Sequence, residues 1–241
     1  MNTLYTDIKS SILEAAKIST YTTDAEEKDP LYKAYGVRSV PLKAIIQSHK
    51  KHIQALTVEE RLSLIDKLVS SEYGEEQSIA IYIMTLMLGY YTPDTFSLLE
   101  TYIQHFHGWS KIDGFCLDVL QPILLQYPAD TLSLLTRWNQ AKNPWEKRAS
   151  VVTLTRKIGE SGQYTEEALQ LCQNIIHDTE DFVLKGVGWC LKDNLRGNRD
   201  KVLPYIMALK KQKVSPLVTA YALRDSGKIT KWGIGIMKNE K

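Results

Sequence analysis

Apolar residues recur every three or four positions along most of this chain. Leu62, Ile65, Leu68 and Val69 form one such set, Leu117, Leu120, Leu124 and Leu125 another, and Leu169, Cys172, Ile175 and Ile176 a third. That period lays an apolar stripe down one side of a helix. The polar punctuation agrees with it. Thr57-Val58-Glu59-Glu60 is a capping box, in which the threonine hydroxyl serves the N3 amide and the glutamate reaches back. Thr92-Pro93, Tyr127-Pro128, Asn143-Pro144 and Ser215-Pro216 put proline where a helix has a spare amide. No alternating run with Asn-Gly or Asp-Gly turns suggests a substantial sheet. The pattern predicts helices over about 3–19, 24–34, 40–55, 57–71, 74–91, 93–106, 109–126, 129–140, 144–159, 164–177, 180–195, 199–211, 215–225 and 228–238.

From about residue 57 these helices fall into pairs of roughly 35 to 40 residues. The spacing predicts an all-α fold, a HEAT-like or armadillo-type α-solenoid of stacked antiparallel helix pairs, whose stacking curves the array and creates a concave face. A compact bundle around one core is the alternative. One repeat domain is expected over 1–241, with a helical cap and loop over 1–40 and HEAT-like repeats over 41–241. The pattern weakens over 20–41, where Glu26, Glu27 and Asp29 precede Tyr32, Tyr35 and Arg38 on an expected loop.

Composition narrows the class. With 44% hydrophobic and 24% charged residues, the 241-residue chain reads as an ordinary soluble protein. Cys116, Cys172 and Cys190 are odd in number and set in apolar helical patterns, and the five histidines show no ligand spacing. A reduced, metal-free protein without a cofactor follows, with buried structural thiols. The first 20 residues lack the apolar core of a signal peptide, and the most apolar run, 79–91, is too short to span a membrane. A cytoplasmic location and no membrane partner are expected, and a capped solenoid suggests a monomer.

Charge adds an asymmetry that the net value of +2 hides. Residues 1–136 hold 11 Lys/Arg against 17 Asp/Glu, whereas 137–241 hold 19 against 11. A basic half beside an acidic one suits a polyanion-binding face, although lysine-rich solvated helix faces would look the same.

Trp109 and Asp113 lie four residues apart, so a helix sets the indole and the carboxylate on one face. An aromatic wall beside an anion can stabilise a cation forming between them. Taken alone, the pair also fits an acid complementing a helix N-terminus beside a packed tryptophan. Arg148 follows the Asn143-Pro144 helix start, and Trp189 lies between Lys185 and Lys192 on one stripe. Lys147, Arg148, Arg156, Lys185, Lys192 and Arg196 would serve as phosphate contacts of little sequence preference.

The order Gly108-Trp109-x-x-x-Asp113, then Trp145-x-x-Arg148, then Gly186-x-Gly188-Trp189-x-Leu191-Lys192 resembles the AlkD-like DNA alkylation-repair glycosylases. The similarity runs from about Gly36 to Lys213, most clearly across 105–128, 138–152 and 182–206. The resemblance implies a HEAT-like solenoid that releases cationic N3- and N7-alkylated purines from double-stranded DNA without a base-flipping pocket. It implies Asp113 as the catalytic carboxylate, Trp109 and Trp189 as walls contacting the deoxyribose, and Arg148 as a phosphate grip. Lys192 stands where an arginine-like contact is expected, and the first 40 residues match poorly. Two other readings stay open: a non-catalytic solenoid binding damaged, bent or branched DNA, and a protein-interaction scaffold.

Overall fold

The computed structural model describes residues 2–19 and 31–224. Among them every regular element is helical, and one isolated bridge joins Lys33 to Tyr73. The fold is all-α and solenoid-like, with helices packing chiefly on those one to three places away along the chain. No described helix is long and apolar enough to cross a membrane. The helices divide into two compact units, Met1–Thr131 and Leu132–Lys241.

The first unit holds α1 (Asn2–Lys17), α2 (Ser39–Ala55), α3 (Val58–Ser70), α4 (Gly74–Thr85), α5 (Phe96–Ile103), α6 (Trp109–Phe115) and α7 (Gln121–Gln126). The Thr57 capping box forms as the sequence predicts: Glu60 N donates to Thr57 Oγ1 at 3.2 Å, and Thr57 N to Glu60 Oε2 at 2.9 Å. It starts α3 on the register that buries Leu64, Ile65, Leu68 and Val69. α4 is buried on almost all sides, and α2, α3 and α6 pack on it. The predicted 74–91 helix stops at Thr85, and short 3₁₀ turns at Leu88–Tyr90 and Pro93–Thr95 lead into α5. From α6 the chain passes through a π-helical turn, Cys116–Leu120, into α7. This run buries Ile112, Phe115, Cys116, Val119, Leu120, Ile123 and Leu124. Leu125, expected on that stripe, is 62% exposed because it lies five residues past Leu120, outside the stripe's width.

α8 (Pro128–Asn139) carries the chain into the second unit, which continues with α9 (Pro144–Val152), α10 (Arg156–Ser161), α11 (Thr165–Ile175), α12 (Asp181–Gly197), α13 (Arg199–Lys211) and α14 (Pro216–Ala222). Proline opens α8, α9 and α14, as predicted. α12 is the hub, packed by α9, α10, α11, α13 and α14. Its glycines permit that crowding: a β-carbon on Gly188 would come within 2.8 Å of the Leu217 carbonyl oxygen and of Tyr221 Cβ.

Other predicted helices also differ from expectation. The 144–159 helix breaks at Thr153–Thr155. Thr153 Oγ1 donates to Ala149 O at 2.8 Å and Thr155 Oγ1 to Val152 O at 2.7 Å, so threonine hydroxyls compete for helix carbonyls there. Of the predicted 24–34 helix, residues 24–30 lie outside the described residues, and 31–34 are not helical. The 228–238 helix also lies outside them.

Candidate functional site

In the first unit Trp109 and Asp113 share α6 as expected. Gly108 caps the helix at φ 84°, a left-handed conformation that costs glycine little. That turn starts α6 with Trp109 as its first residue, 36% exposed. Asp113 lies one turn deeper at 9% exposure. Beneath the helix, the Phe106 and Phe115 rings meet edge-on at 5.2 Å, and Ile112 is fully buried. α6 thus carries a largely buried carboxylate one turn after a part-exposed indole. Lys111, between the two, donates to Ser78 Oγ on α4 at 2.6 Å and so ties α6 to α4.

The start of α4 organises the preceding segment. Glu75, buried, accepts from Tyr35 N at 3.0 Å and Val37 N at 2.8 Å. Tyr35 stacks on Tyr73 at 4.1 Å and donates its hydroxyl to Glu76 Oε1 at 2.7 Å. Burial, then the Glu76 bond, push the Tyr35 phenol well above its ordinary value, and the same causes in the same order raise Tyr5 to about 12. The sequence suggested a loop displaying Tyr32, Tyr35 and Arg38. Arg38 is exposed, but Tyr35 is pinned to α4 by two acids that carried no signal in the pattern.

The second unit places the predicted cations unequally. Arg148 on α9 is buried at 5% exposure and donates through Nη1 to Phe182 O on α12. The Trp145 and Phe182 rings stack beside it at 3.9 Å, and Gly186 leaves room for its side chain. Lys147 pairs with Asp178 at 2.6 Å. Lys192 lies 3.8 Å from Asp193 and over the Tyr221 ring at 5.6 Å. Arg196 bonds Glu160 at 2.9 Å and Asp193 at 3.1 Å. Lys185 is exposed on α12. Trp189, half-buried, carries the Arg156 guanidinium over its ring at 5.3 Å.

Asp193 is the residue the sequence reading missed. It is 1% exposed and accepts the Arg156 amide at 2.7 Å. Its signal was present: it follows Trp189 by four residues, as Asp113 follows Trp109.

Cys116, Cys172 and Cys190 are all buried free thiols. The Cys172 neighbour, then burial, raise the Cys190 thiol well above its ordinary value and leave it a poor nucleophile. Among the described residues no group of three or more His, Cys, Asp or Glu side chains is arranged to hold a metal ion.

Comparison with known proteins adds a family. A search of curated proteins finds no match. Among solved structures, the chain is similar to one described as a predicted DNA alkylation repair enzyme from Enterococcus faecalis, at 16% identity and a TM-score of 0.68. The match covers 87% of this chain and 92% of that one, and at this identity it speaks for the fold. The model of the DNA alkylation repair enzyme family matches residues 14–225, well over half of the chain. The chain therefore belongs to the DNA alkylation repair enzyme family.

Proposed function

We propose that the protein is a DNA glycosylase that excises cationic N3- and N7-alkylated purines from double-stranded DNA. Membership of the family supports a role in alkylation repair and DNA as the partner. The observation that carries the finer reading is the α6 pair: a largely buried carboxylate one turn below a part-exposed indole.

An alkylated purine already bears positive charge, so it leaves without a strong general acid. As the N-glycosidic bond breaks, its electron pair departs with the base nitrogen and positive charge spreads over C1′ and the ring oxygen of the sugar. Asp113 faces that charge as a fixed anion, and the Trp109 π-face adds a second attraction. Water oxygen then bonds C1′, and its proton passes to Asp113 or to solvent. A lone carboxylate would serve ordinary glycosides poorly, because their leaving groups need an acid partner. Arg148, Lys147, Arg156, Lys185, Lys192 and Arg196 form the phosphate-binding set, acting on backbone rather than base edges. The protein works as a monomer without metal or cofactor and takes the lesion without a base-flipping pocket.

The test is release of 7-methylguanine or 3-methyladenine from methylated duplex DNA. Asp113→Asn is expected to lower the rate by roughly two orders of magnitude, the scale of one preorganised electrostatic group, with duplex affinity largely kept. Equal release by Asp113→Asn removes the residue's assigned role. Salt-steep duplex binding with no release by the native protein would instead establish a non-catalytic DNA-binding member.

A further inference from the structure

Arg156 opens α10 with φ 50°, a left-handed conformation that costs a non-glycine residue about 1 kcal/mol. Something must hold it there. Its amide donates at 2.7 Å to Oδ2 of Asp193, whose carboxylate is 1% exposed on α12. One helical turn before Asp193 stands Trp189, and the Arg156 guanidinium lies over that indole at 5.3 Å. Among the described residues the Arg156 guanidinium enters no ion pair. The neighbouring cation, Arg196, differs: Glu160 and Asp193 both engage it.

We propose that Asp193 is a positioning residue: by binding the Arg156 amide it seats the Arg156 guanidinium on Trp189 and presents it as a preset fork for a DNA phosphate. The chemistry favours this arrangement. A guanidinium held over an aromatic face by cation–π attraction keeps its N–H donors available beyond the ring, and a phosphodiester can take two of them at once. The indole attracts the guanidinium lying over it at 5.3 Å, and the buried carboxylate fixes the backbone from which the side chain springs. The rotamer entropy that a free surface arginine loses on binding is thereby lost in advance. Trp189 becomes a platform for a cation of the protein itself, a role different from touching the sugar. This inference rests on reading the second unit as a phosphate-binding surface, and not on base release.

The experiment measures duplex affinity against salt for the native protein, Arg156→Ala, Asp193→Ala, the double variant and Asp193→Asn, each also in an Arg196→Ala background. Arg156→Ala should flatten the slope of log affinity against log salt by about 0.9, one phosphate's worth. In an Arg196→Ala background, which removes the 3.1 Å ion-pair partner of Asp193, Asp193→Ala should flatten it equally, and the double variant no further, because both substitutions then remove the same contact. Asp193→Asn keeps an acceptor oxygen for the Arg156 amide and should restore the slope of that background. Without DNA, Arg156→Ala and Asp193→Ala should both raise acrylamide quenching of Trp189, read as the difference from matched Trp189→Phe proteins. If Asp193→Ala does not fold, Asp193→Ser, whose hydroxyl is too short for the bond, takes its place.

In that background, an unflattened slope in Asp193→Ala, twice the loss in the double variant, or equal loss in Asp193→Asn and Asp193→Ala would each overturn the proposal. Base release with a slope insensitive to Arg156→Ala defeats the fork alone. Coupled slopes without base release defeat the glycosylase reading alone. Duplex binding that ignores salt defeats the fork together with the phosphate surface it needs.

Discussion

The two units carry the same four-residue step, Trp109 to Asp113 on α6 and Trp189 to Asp193 on α12, and put it to different uses. On α6 a 9% exposed carboxylate lies below an indole at the helix start, in a half of the chain rich in acids. On α12 the carboxylate is 1% exposed and committed to the Arg156 amide and Arg196, with Lys192 close by, in the half rich in cations. One local motif thus yields a candidate anion for a developing cation in the first case and a brace for cations in the second. The use on α12 is fixed by a donor from a distant part of the chain, the Arg156 amide, which no local step could announce.

The helices that bear the two steps also differ in crowding, and glycine substitutions expose this most sharply. Gly188→Ala should destabilise the protein by about 3 kcal/mol, the upper end of ordinary overpacking, because backbone oxygens of α14 meet the new methyl. Thermal or urea unfolding measures it, and a loss below about 1 kcal/mol would show that α14 gives way.

A smaller effect is expected where acids pin the first unit's early segment. Glu75→Ala leaves the amides of Tyr35 and Val37 without their carboxylate and should cost about 2 kcal/mol. Hydrogen exchange should locate the loss at residues 33–38, while α12 keeps its protection. Exchange that rises equally in both units would contradict so local a role.

Smaller still, and opposite in sign, is Gly114→Ala on α6. The added methyl meets only Ile81 Cδ1, at 3.8 Å, and alanine is the better helix former. A gain of about 0.5 to 1 kcal/mol follows. A loss would mean that α6 is as tightly held as α12, and the contrast between the two helices would fail.

The smallest effect is one of pH. Burial lowers the His49 pKa below its ordinary value, and Ser11 Oγ lies 3.0 Å from its Nε2. The unfolded chain therefore takes up a proton at His49 before the folded one does. Stability from this group is complete above about pH 6.5 and falls as pH drops from there towards the folded value. His49→Gln should lessen the drop in Tm between pH 7 and 5, and an unchanged drop would assign it to other groups.

How much of this was legible follows from the range of each interaction. The Thr57 capping box and the prolines opening α8, α9 and α14 were readable because partner and residue lie within one turn. The α6 pair was readable for the same reason. The break in the 144–159 helix was not, since threonine's choice of its own carbonyls over the helix is decided by the packing around it. Leu125 shows the same limit on a smaller scale: its apolar character suggested burial, yet only the position of the packed face tells which leucines lie inside.

Local periodicity and capping chemistry alone determined that this chain is a succession of helices, and the order of its motifs pointed to an alkylation-repair family. Tertiary structure decided which acids matter and for what. Glu75 reaches 40 residues back to the Tyr35 amide, and Asp193 reaches 37 residues back to the Arg156 amide. Such bonds leave no period in the sequence, because a carboxylate's role is set by the donors that folding brings within hydrogen-bond distance.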